Sequence, residues 1–251
     1  MNRIVAFLFL IIFNIFCNAQ KESKYIKIGS IPVPKGFLRT TGDKNSFEEY
    51  LRNLPLKTEN NNVYLFDGRL KGNQSAQFAV VKMDVGTQDL QQCADAVMRL
   101  RGEYLFSQKK YSEIHFTFVS DGKPRYFKDY KPGDVSYKNF RKYMNFVFSY
   151  ANTASLKKEL KIVGENEKIK PGDVFIMSGK PYGHAVTVVD AAENEAGDQI
   201  FMIAQSYMPA QEIHVLVNEN DASVSPWYFF KQGNRLETPE WTFDWSDLRK
   251  F

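Results

Sequence analysis

Cysteine is scarce in this sequence: only two occur. Cys17 lies in an N-terminal segment that has one early positive charge, an apolar stretch from Ile4 to Phe16 and a small residue, Ala19, before a potential cleavage site. This pattern predicts a secretory signal peptide over residues 1–19. Its removal leaves Cys93 as the single thiol, which excludes an intramolecular disulfide.

A lipid anchor on Cys17 is the alternative for this segment. Phe16 precedes the cysteine, whereas lipid attachment favours a small residue there, so we prefer the cleaved signal peptide. The apolar stretch is shorter than the about 20 residues that a transmembrane helix needs. We therefore expect no transmembrane segment and an exported protein, periplasmic or extracellular.

Charge runs, internal repeats and low-complexity linkers are also missing. The formal net charge of +4 falls to +3 when Arg3 leaves with the signal peptide, and charges of both signs are interspersed. Without a basic stripe or a zinc pattern, nucleic-acid binding is not predicted. The three histidines and Cys93 lack metal-ligand spacing, so no metal or other cofactor is predicted. The length of residues 20–251 fits a single domain.

Helical periodicity predicts the segment that carries the thiol. Apolar residues recur at helical spacing from Leu90 to Tyr104, and Asp89 followed by Gln92 is typical of a helix start with Asp89 as N-cap. Cys93 is therefore expected in the first turn, on the inward face. Further helices are predicted after Ser46 and over Ser136–Ser149.

Strands predominate in the second half of the sequence, where β-rich runs are separated by Gly, Pro and Asn. Strands are predicted at Tyr25–Val33, Tyr64–Phe66, Gln77–Val85, Glu113–Val119, Asp173–Met177, Ala185–Asp190, Ile200–Gln205 and Ile213–Leu216, the second and third forming a hairpin. Helices followed by an antiparallel sheet indicate an α+β fold.

The order of Cys93, His184 and Gln205 is that of a cysteine hydrolase. A thiolate is the nucleophile in such chemistry, and a helix N-terminus lowers the pKa of a thiol. Cys93 would attack an acyl carbon, ion-paired with His184, and Gln205 would orient the imidazole. Asp190 is the alternative orienting residue.

Three segments resemble parts of the NlpC-type, papain-like cysteine hydrolases. Lys170–Phe175 and Tyr182–Val189 resemble a hairpin whose second strand carries the general base, and Gln92–Asp95 is similar to the nucleophile segment. The resemblance implies a papain-like arrangement of N-terminal helices packed on an antiparallel sheet. It also implies peptidoglycan stem peptides as the substrate.

The mature chain more closely resembles a family of secreted bacterial proteins grouped as domain of unknown function 4846. The resemblance lies in residues 92–105, 184–190, 204–211 and 225–228. It implies export and brings no assayed activity.

Residues beside these segments are candidates for substrate contact. Tyr182, Tyr207 and Trp227 could stack on a sugar ring or a peptide plane. Gln88 or Gln92 could donate to the oxyanion of a tetrahedral intermediate.

Each element also has a structural interpretation. Cys93 falls on the apolar stripe of its helix, and free cysteine is among the most buried residue types. His115 and His214 are most simply strand residues near the surface. Two functions therefore stand: a cysteine amidohydrolase or peptidase that acts on cell-wall peptides, and a non-catalytic envelope protein that binds a glycan or peptide on the same scaffold.

Overall fold

The computed structural model describes residues 24–164, 166–229 and 235–251. The predicted signal peptide, residues 1–19, lies outside these ranges. Within them, no helix combines the length and the apolar character that crossing a membrane requires.

Helices occupy mainly the first part of the described chain. They are α1 Phe47–Arg52, α2 Cys93–Ser107, α3 Phe127–Tyr130, α4 Tyr137–Tyr150 and α5 Thr153–Glu159. Single turns of 3-10 helix occur at Ile28–Ser30 and Trp245–Asp247.

Strands are distributed through the chain and dominate its second part. They are β1 Phe37–Arg39, β2 Gln77–Val80, β3 His115–Thr117, β4 Pro124–Tyr126, β5 Lys161–Ile162, β6 Val174–Met177, β7 His184–Asn194, β8 Gln199–Gln205, β9 His214–Leu216, β10 Tyr228–Phe229, β11 Leu236–Glu237, β12 Thr242–Phe243 and β13 Leu248–Lys250.

The predicted α+β class is confirmed, because the main sheet of the described residues is antiparallel and helices pack on it. Its strand order is β2-β9-β8-β7-β6-β13-β5, with β1 also paired to β7 and β10 to β8. Two short antiparallel hairpins, β3-β4 and β11-β12, lie outside this sheet.

Strand β7 is the longest element of the sheet and is buried over most of its length. Ala185, Val189 and Ala192 pack in the core that includes α1, α2 and α4. Val186 and Val188 pack in a second core with aromatic side chains of the C-terminal segment. Burial on both faces explains why this strand reads as a nearly continuous apolar run.

Capping residues explain where two helices begin. Ser46 accepts a hydrogen bond from the Glu49 N–H at 3.1 Å, and Ser136 accepts one from the Asn139 N–H at 3.2 Å. Both helices start directly after these side chains, as the sequence predicts.

Two predicted strands are wrong in the N-terminal part. Tyr25–Val33 contains the 3-10 turn, because Ile28 and Ile31 are both buried at a helical spacing of three. The predicted hairpin is absent from the described chain, since β2 pairs with β9 and not with Tyr64–Phe66.

A buried ion pair fastens α1 and β1 to β7. The Asp190 side chain is 0% exposed, and its two oxygens accept from Arg39 Nε and Arg52 Nε, each at 2.6 Å. Its backbone lies beside a register shift between β7 and β8. Asp190 is therefore committed to a structural contact.

Replacement of Asp190 by Ala should lower the free energy of unfolding by about 3 kcal/mol, because two arginines lose their carboxylate at a buried position. Urea unfolding followed by circular dichroism measures the change. Asp67→Ala is the control, since Asp67 pairs with Arg69 at the surface, and it should leave the midpoint unchanged. Equal midpoints for all three proteins would contradict a stabilising role for Asp190.

Candidate active site

Cys93 is the first residue of α2, as the sequence predicts, but the N-cap is Gln92. The Gln92 N–H donates to Asp95 Oδ2 at 3.1 Å. Asp89, the predicted N-cap, instead accepts from the Ala210 N–H at 2.7 Å and from Gln92 Nε2 at 3.0 Å. Its carboxylate therefore ties the loop before α2 to the segment after β8.

The Cys93 thiol lies against the start of β7. Its Sγ donates to the Gly183 carbonyl oxygen at 3.9 Å. The backbone N–H of Ala185 also points to this sulfur and favours its thiolate form. These two residues flank His184. The Cys93 residue is 7% exposed, so the predicted helix start and the predicted Gly-His strand meet at a nearly buried sulfur.

The thiol lines a small pocket of about 270 Å³. Tyr182 and Met208 line one part of it, and Asn152 and Thr153 at the start of α5 line another. A larger groove of about 1070 Å³ lies beside β1, away from the thiol. The chemistry of the cysteine therefore concerns the small pocket.

His184 is 1% exposed, and its imidazole is held by an amide and by aromatic rings. Its Nε2 lies 2.8 Å from Gln205 Oε1. Its Nδ1 is buried and has no hydrogen-bond partner in the described chain. The rings of Tyr207, Trp241 and Phe243 lie 4.9, 5.2 and 5.9 Å from the imidazole. One ring nitrogen is thus engaged, and the other makes no hydrogen bond within the described residues, to Cys93 or to any other group.

A second layer of polar side chains lies behind Gln205. Gln205 Nε2 is 2.7 Å from Glu240 Oε2 and 3.5 Å from His214 Nε2. Lys71 Nζ is 2.6 Å from the same Glu240 oxygen and 3.3 Å from His214 Nε2. The site therefore continues through Gln205 into a buried polar cluster.

Burial makes both candidate catalytic groups neutral near pH 7. It raises the pKa of the Cys93 thiol to about 11, although the Ala94 N–H opposes this shift. Burial also lowers the pKa of His184 to about 4, against the hydrogen bond to Gln205 and with the help of the Lys71 charge. The expected thiolate–imidazolium pair is therefore wrong for the resting site, which holds a thiol and a neutral imidazole.

The structure distinguishes between the two candidate orienting residues. Gln205 contacts His184, whereas Asp190 is paired with two arginines. Of the predicted oxyanion donors, Gln92 lines the pocket but its amide is bonded to Asp89. Gln88 accepts from Asn145.

The three predicted substrate-contact residues differ in their distance from the pocket and in their exposure. Tyr182 lines the pocket and is 62% exposed, and Tyr207 packs against His184. Trp227 is 1% exposed and donates from its indole N–H to the Pro32 carbonyl at 2.8 Å. The prediction for Trp227 is therefore corrected: its large apolar ring fills the core and does not reach the pocket.

Sequence reasoning missed Lys71, Glu240 and Trp241, and it placed His214 near the surface, which is wrong because His214 is fully buried. Glu240 and Trp241 lie in the turn between β11 and β12. The only sequence signal was the tryptophan-rich C-terminal segment, which does pack on the sheet. Within the ranges described, no cluster of three or more His, Cys, Asp or Glu residues could hold a metal ion.

Fold and site together define an α+β protein with a cysteine at a helix start and a buried histidine–glutamine pair on adjacent strands. The chain belongs to the family described as Domain of unknown function (4846), whose sequence model matches residues 28–135 and 119–250. Searches of curated proteins and of solved structures found no match.

Alkylation of Cys93 by iodoacetamide should be slow at pH 7 and should rise about tenfold per pH unit up to about pH 10, because only the thiolate reacts. The rate is measured by mass spectrometry across pH. Urea-denatured protein is the control and should level off near the free-thiol pKa of about 8.5. A plateau below pH 8 in the folded protein would contradict the neutral resting thiol.

Gly183→Ala should lower the free energy of unfolding by about 1–3 kcal/mol, because the added Cβ has no room. It would overlap the Met177 carbonyl oxygen and lie 2.6 Å from Thr153 Oγ1. Urea unfolding measures the effect. Gly72→Ala, where the Cβ meets open space, is the matched control, and an equal midpoint for both variants would refute the steric argument.

Proposed function

We propose that this protein is an exported cysteine amidohydrolase or peptidase that acts on cell-wall peptides. Cys93 and His184 are its catalytic residues, and Gln205 positions the imidazole. One observation carries the proposal: Gln205 Oε1 engages Nε2 of His184, Nδ1 is unpaired, and the Cys93 sulfur lies against the residues on both sides of this histidine.

The amide oxygen of Gln205 assigns the roles of the two imidazole nitrogens. A carbonyl oxygen only accepts, so His184 Nε2 carries the proton and donates it. The neutral ring then has its lone pair on Nδ1. An Nδ1 atom with a lone pair and no hydrogen-bond partner can accept a proton as a base. We propose that the thiol of Cys93 donates this proton.

In the proposed acylation step, Nδ1 of His184 takes the thiol proton as the sulfur attacks the carbonyl carbon of an amide. The C–S bond forms and the carbonyl electrons move to oxygen. The tetrahedral intermediate then collapses, Nδ1 delivers its proton to the amide nitrogen, and the C–N bond breaks. The products are an amine and a thioester on Cys93.

Water completes the proposed cycle. His184 takes a proton from a water molecule while the oxygen of that water attacks the thioester carbon, and the C–S bond then breaks. The proton returns to the sulfur, which restores the neutral thiol and releases a carboxylic acid. Since thiol and imidazole are neutral at rest, proton transfer accompanies the attack and does not precede it.

The start of α2 supplies donors for the oxyanion. The first N–H groups of a helix lack intrahelical partners and carry partial positive charge. Those of Cys93 and Ala94 belong to residues that line the pocket. We propose them as the oxyanion donors in place of Gln88, which does not line the pocket, and of Gln92, whose amide nitrogen donates to Asp89.

The substrate class rests on the pocket and on the resemblance to NlpC-type enzymes. Tyr182 offers an exposed aromatic face beside Cys93, which suits a peptide plane or a sugar ring. The predicted signal peptide would place the protein where peptidoglycan is found. The papain-like arrangement is part of the same proposal, and α2 packed on β7 supports it.

A non-catalytic envelope protein is the second candidate function. The observation that favours it is the nearly buried thiol with a pKa raised to about 11, which also suits a structural cysteine. On this alternative the pocket binds a peptide or glycan without cleaving it.

Cys93→Ala should lower kcat/KM for hydrolysis of soluble peptidoglycan fragments at least about 1,000-fold, and His184→Ala at least about 100-fold, because nucleophile and base are lost. Product release is followed by mass spectrometry, and acid quenching should trap a thioester on Cys93 in the wild type.

His115→Ala is the matched control, because His115 is partly exposed on β3 and contacts the Glu113 carbonyl oxygen, the Glu159 carboxylate and the Tyr126 ring, none of which belongs to the candidate site. It should keep wild-type activity. Unchanged hydrolysis in Cys93→Ala would refute the thiol mechanism. Saturable binding of the fragments without cleavage or thioester would favour the envelope-binding function.

A further inference from the structure

The polar cluster behind Gln205 contains a charged pair that the proposed reaction does not use directly. Lys71 is 5% exposed and Glu240 is largely buried, and they pair at 2.6 Å. His214 is fully buried between them and Gln205. Each of these groups has a defined hydrogen-bonding role, and together the roles decide which end of the Gln205 amide faces His184.

The proton of His214 is located by two neighbours. Its Nδ1 lies 2.8 Å from the Glu212 carbonyl oxygen, which only accepts, so Nδ1 carries the proton. Nε2 of His214 then carries a lone pair and accepts. The ammonium group of Lys71, which can only donate, lies 3.3 Å from this nitrogen. Burial and the Lys71 charge lower the pKa of His214 to about 3, which agrees with a neutral ring.

Two acceptors therefore face the far end of Gln205. Glu240 Oε2 lies 2.7 Å and His214 Nε2 lies 3.5 Å from the same amide nitrogen. A reversed amide would place its oxygen against a carboxylate and a lone pair. The amide nitrogen must therefore face Glu240, and the oxygen must face His184.

We propose that Glu240 is a positioning residue that sets the tautomer of His184 through Gln205. Its carboxylate holds the amide in the orientation that requires a proton on Nε2 of His184 and leaves Nδ1 as the base. The inference rests on the proposed function for its catalytic meaning. The tautomer itself is a property of the resting protein.

Lys71 has a separate part in this arrangement. It balances the charge of Glu240 inside the protein, and it also lies near the His214 Nε2 lone pair, at 3.3 Å, which leaves the 2.7 Å contact from Glu240 as the shorter one to the amide nitrogen of Gln205. Glu240 therefore touches both the cation and the amide. A role as counter-ion alone would leave the amide free to turn, which provides the contrast for a test.

Nuclear magnetic resonance of protein labelled with nitrogen-15 in histidine reads the tautomer directly. The chain has three histidines, so His115→Gln and His214→Gln suffice for assignment. At pH 7 the wild type should show His184 protonated at Nε2 and His214 protonated at Nδ1. Glu240→Gln should add a population of His184 protonated at Nδ1, because a neutral amide at position 240 accepts either orientation of Gln205.

Glu237→Gln is the matched control, since Glu237 is an exposed carboxylate in the same hairpin, and it should leave both tautomers unchanged. Glu240→Asp keeps the negative charge beside Lys71 but has a side chain too short to reach the Gln205 amide. It should therefore change the His184 tautomer as Glu240→Gln does, and it serves as the test if Glu240→Gln does not fold. In Cys93-dependent hydrolysis, Glu240→Gln should lower kcat about tenfold or more with little change in KM.

Two results would overturn the inference: a wild-type His184 protonated at Nδ1, or a His184 that stays wholly protonated at Nε2 in both Glu240 variants. Neither depends on activity. A wild-type protein that hydrolyses nothing while its Glu240 variants shift the tautomer would reject the proposed function and keep the positioning role. If hydrolysis depends on Cys93 but the Glu240 variants leave the His184 tautomer unchanged, the proposed function is kept and the positioning role is rejected.

Discussion

Burial of β7 on both faces is the constraint on which the architecture depends. Its backbone pairs with β8 on one edge and with β6 and then β1 on the other, and its side chains join two cores. A strand held in this way has little freedom to shift. His184 at the start of the strand and Asp190 further along are therefore held in fixed backbone positions. The candidate site is therefore built on a strand that is paired on both edges and packed on both faces.

Local pattern accounts for what the sequence could predict. Helical spacing placed Cys93 in the first turn of α2, and apolar runs with Gly and Pro boundaries placed His184 and Gln205 on β7 and β8. The remaining site residues arrive from distant segments, with Lys71 before β2 and Glu240 in the C-terminal hairpin. Nothing in their local sequence distinguishes them from surface charges. Trp227 shows the converse, since a tryptophan near a motif is more readily used to fill a core than to line a pocket.

The same burial that orders the site also sets its electrostatics. A sequence places a cysteine at a helix N-terminus and suggests a lowered pKa, but it does not state how much water the fold removes. Here desolvation outweighs the helix N–H groups at Cys93 and the hydrogen bond at His184. In the mechanism we propose, such a site would hold its proton until a substrate carbonyl is present, so it would differ from one that keeps a permanent thiolate.

The hairpin β11-β12 completes the surroundings of the imidazole from a segment that is distant in the sequence. It supplies Glu240, Trp241 and Phe243 around Gln205 and His184, and it follows all the other site residues in the sequence. A chain that contains Cys93, His184 and Gln205 but not this hairpin lacks the rings that enclose the imidazole and the carboxylate that holds the Gln205 amide. A product truncated before this hairpin would therefore carry the thiol without the complete surroundings of His184.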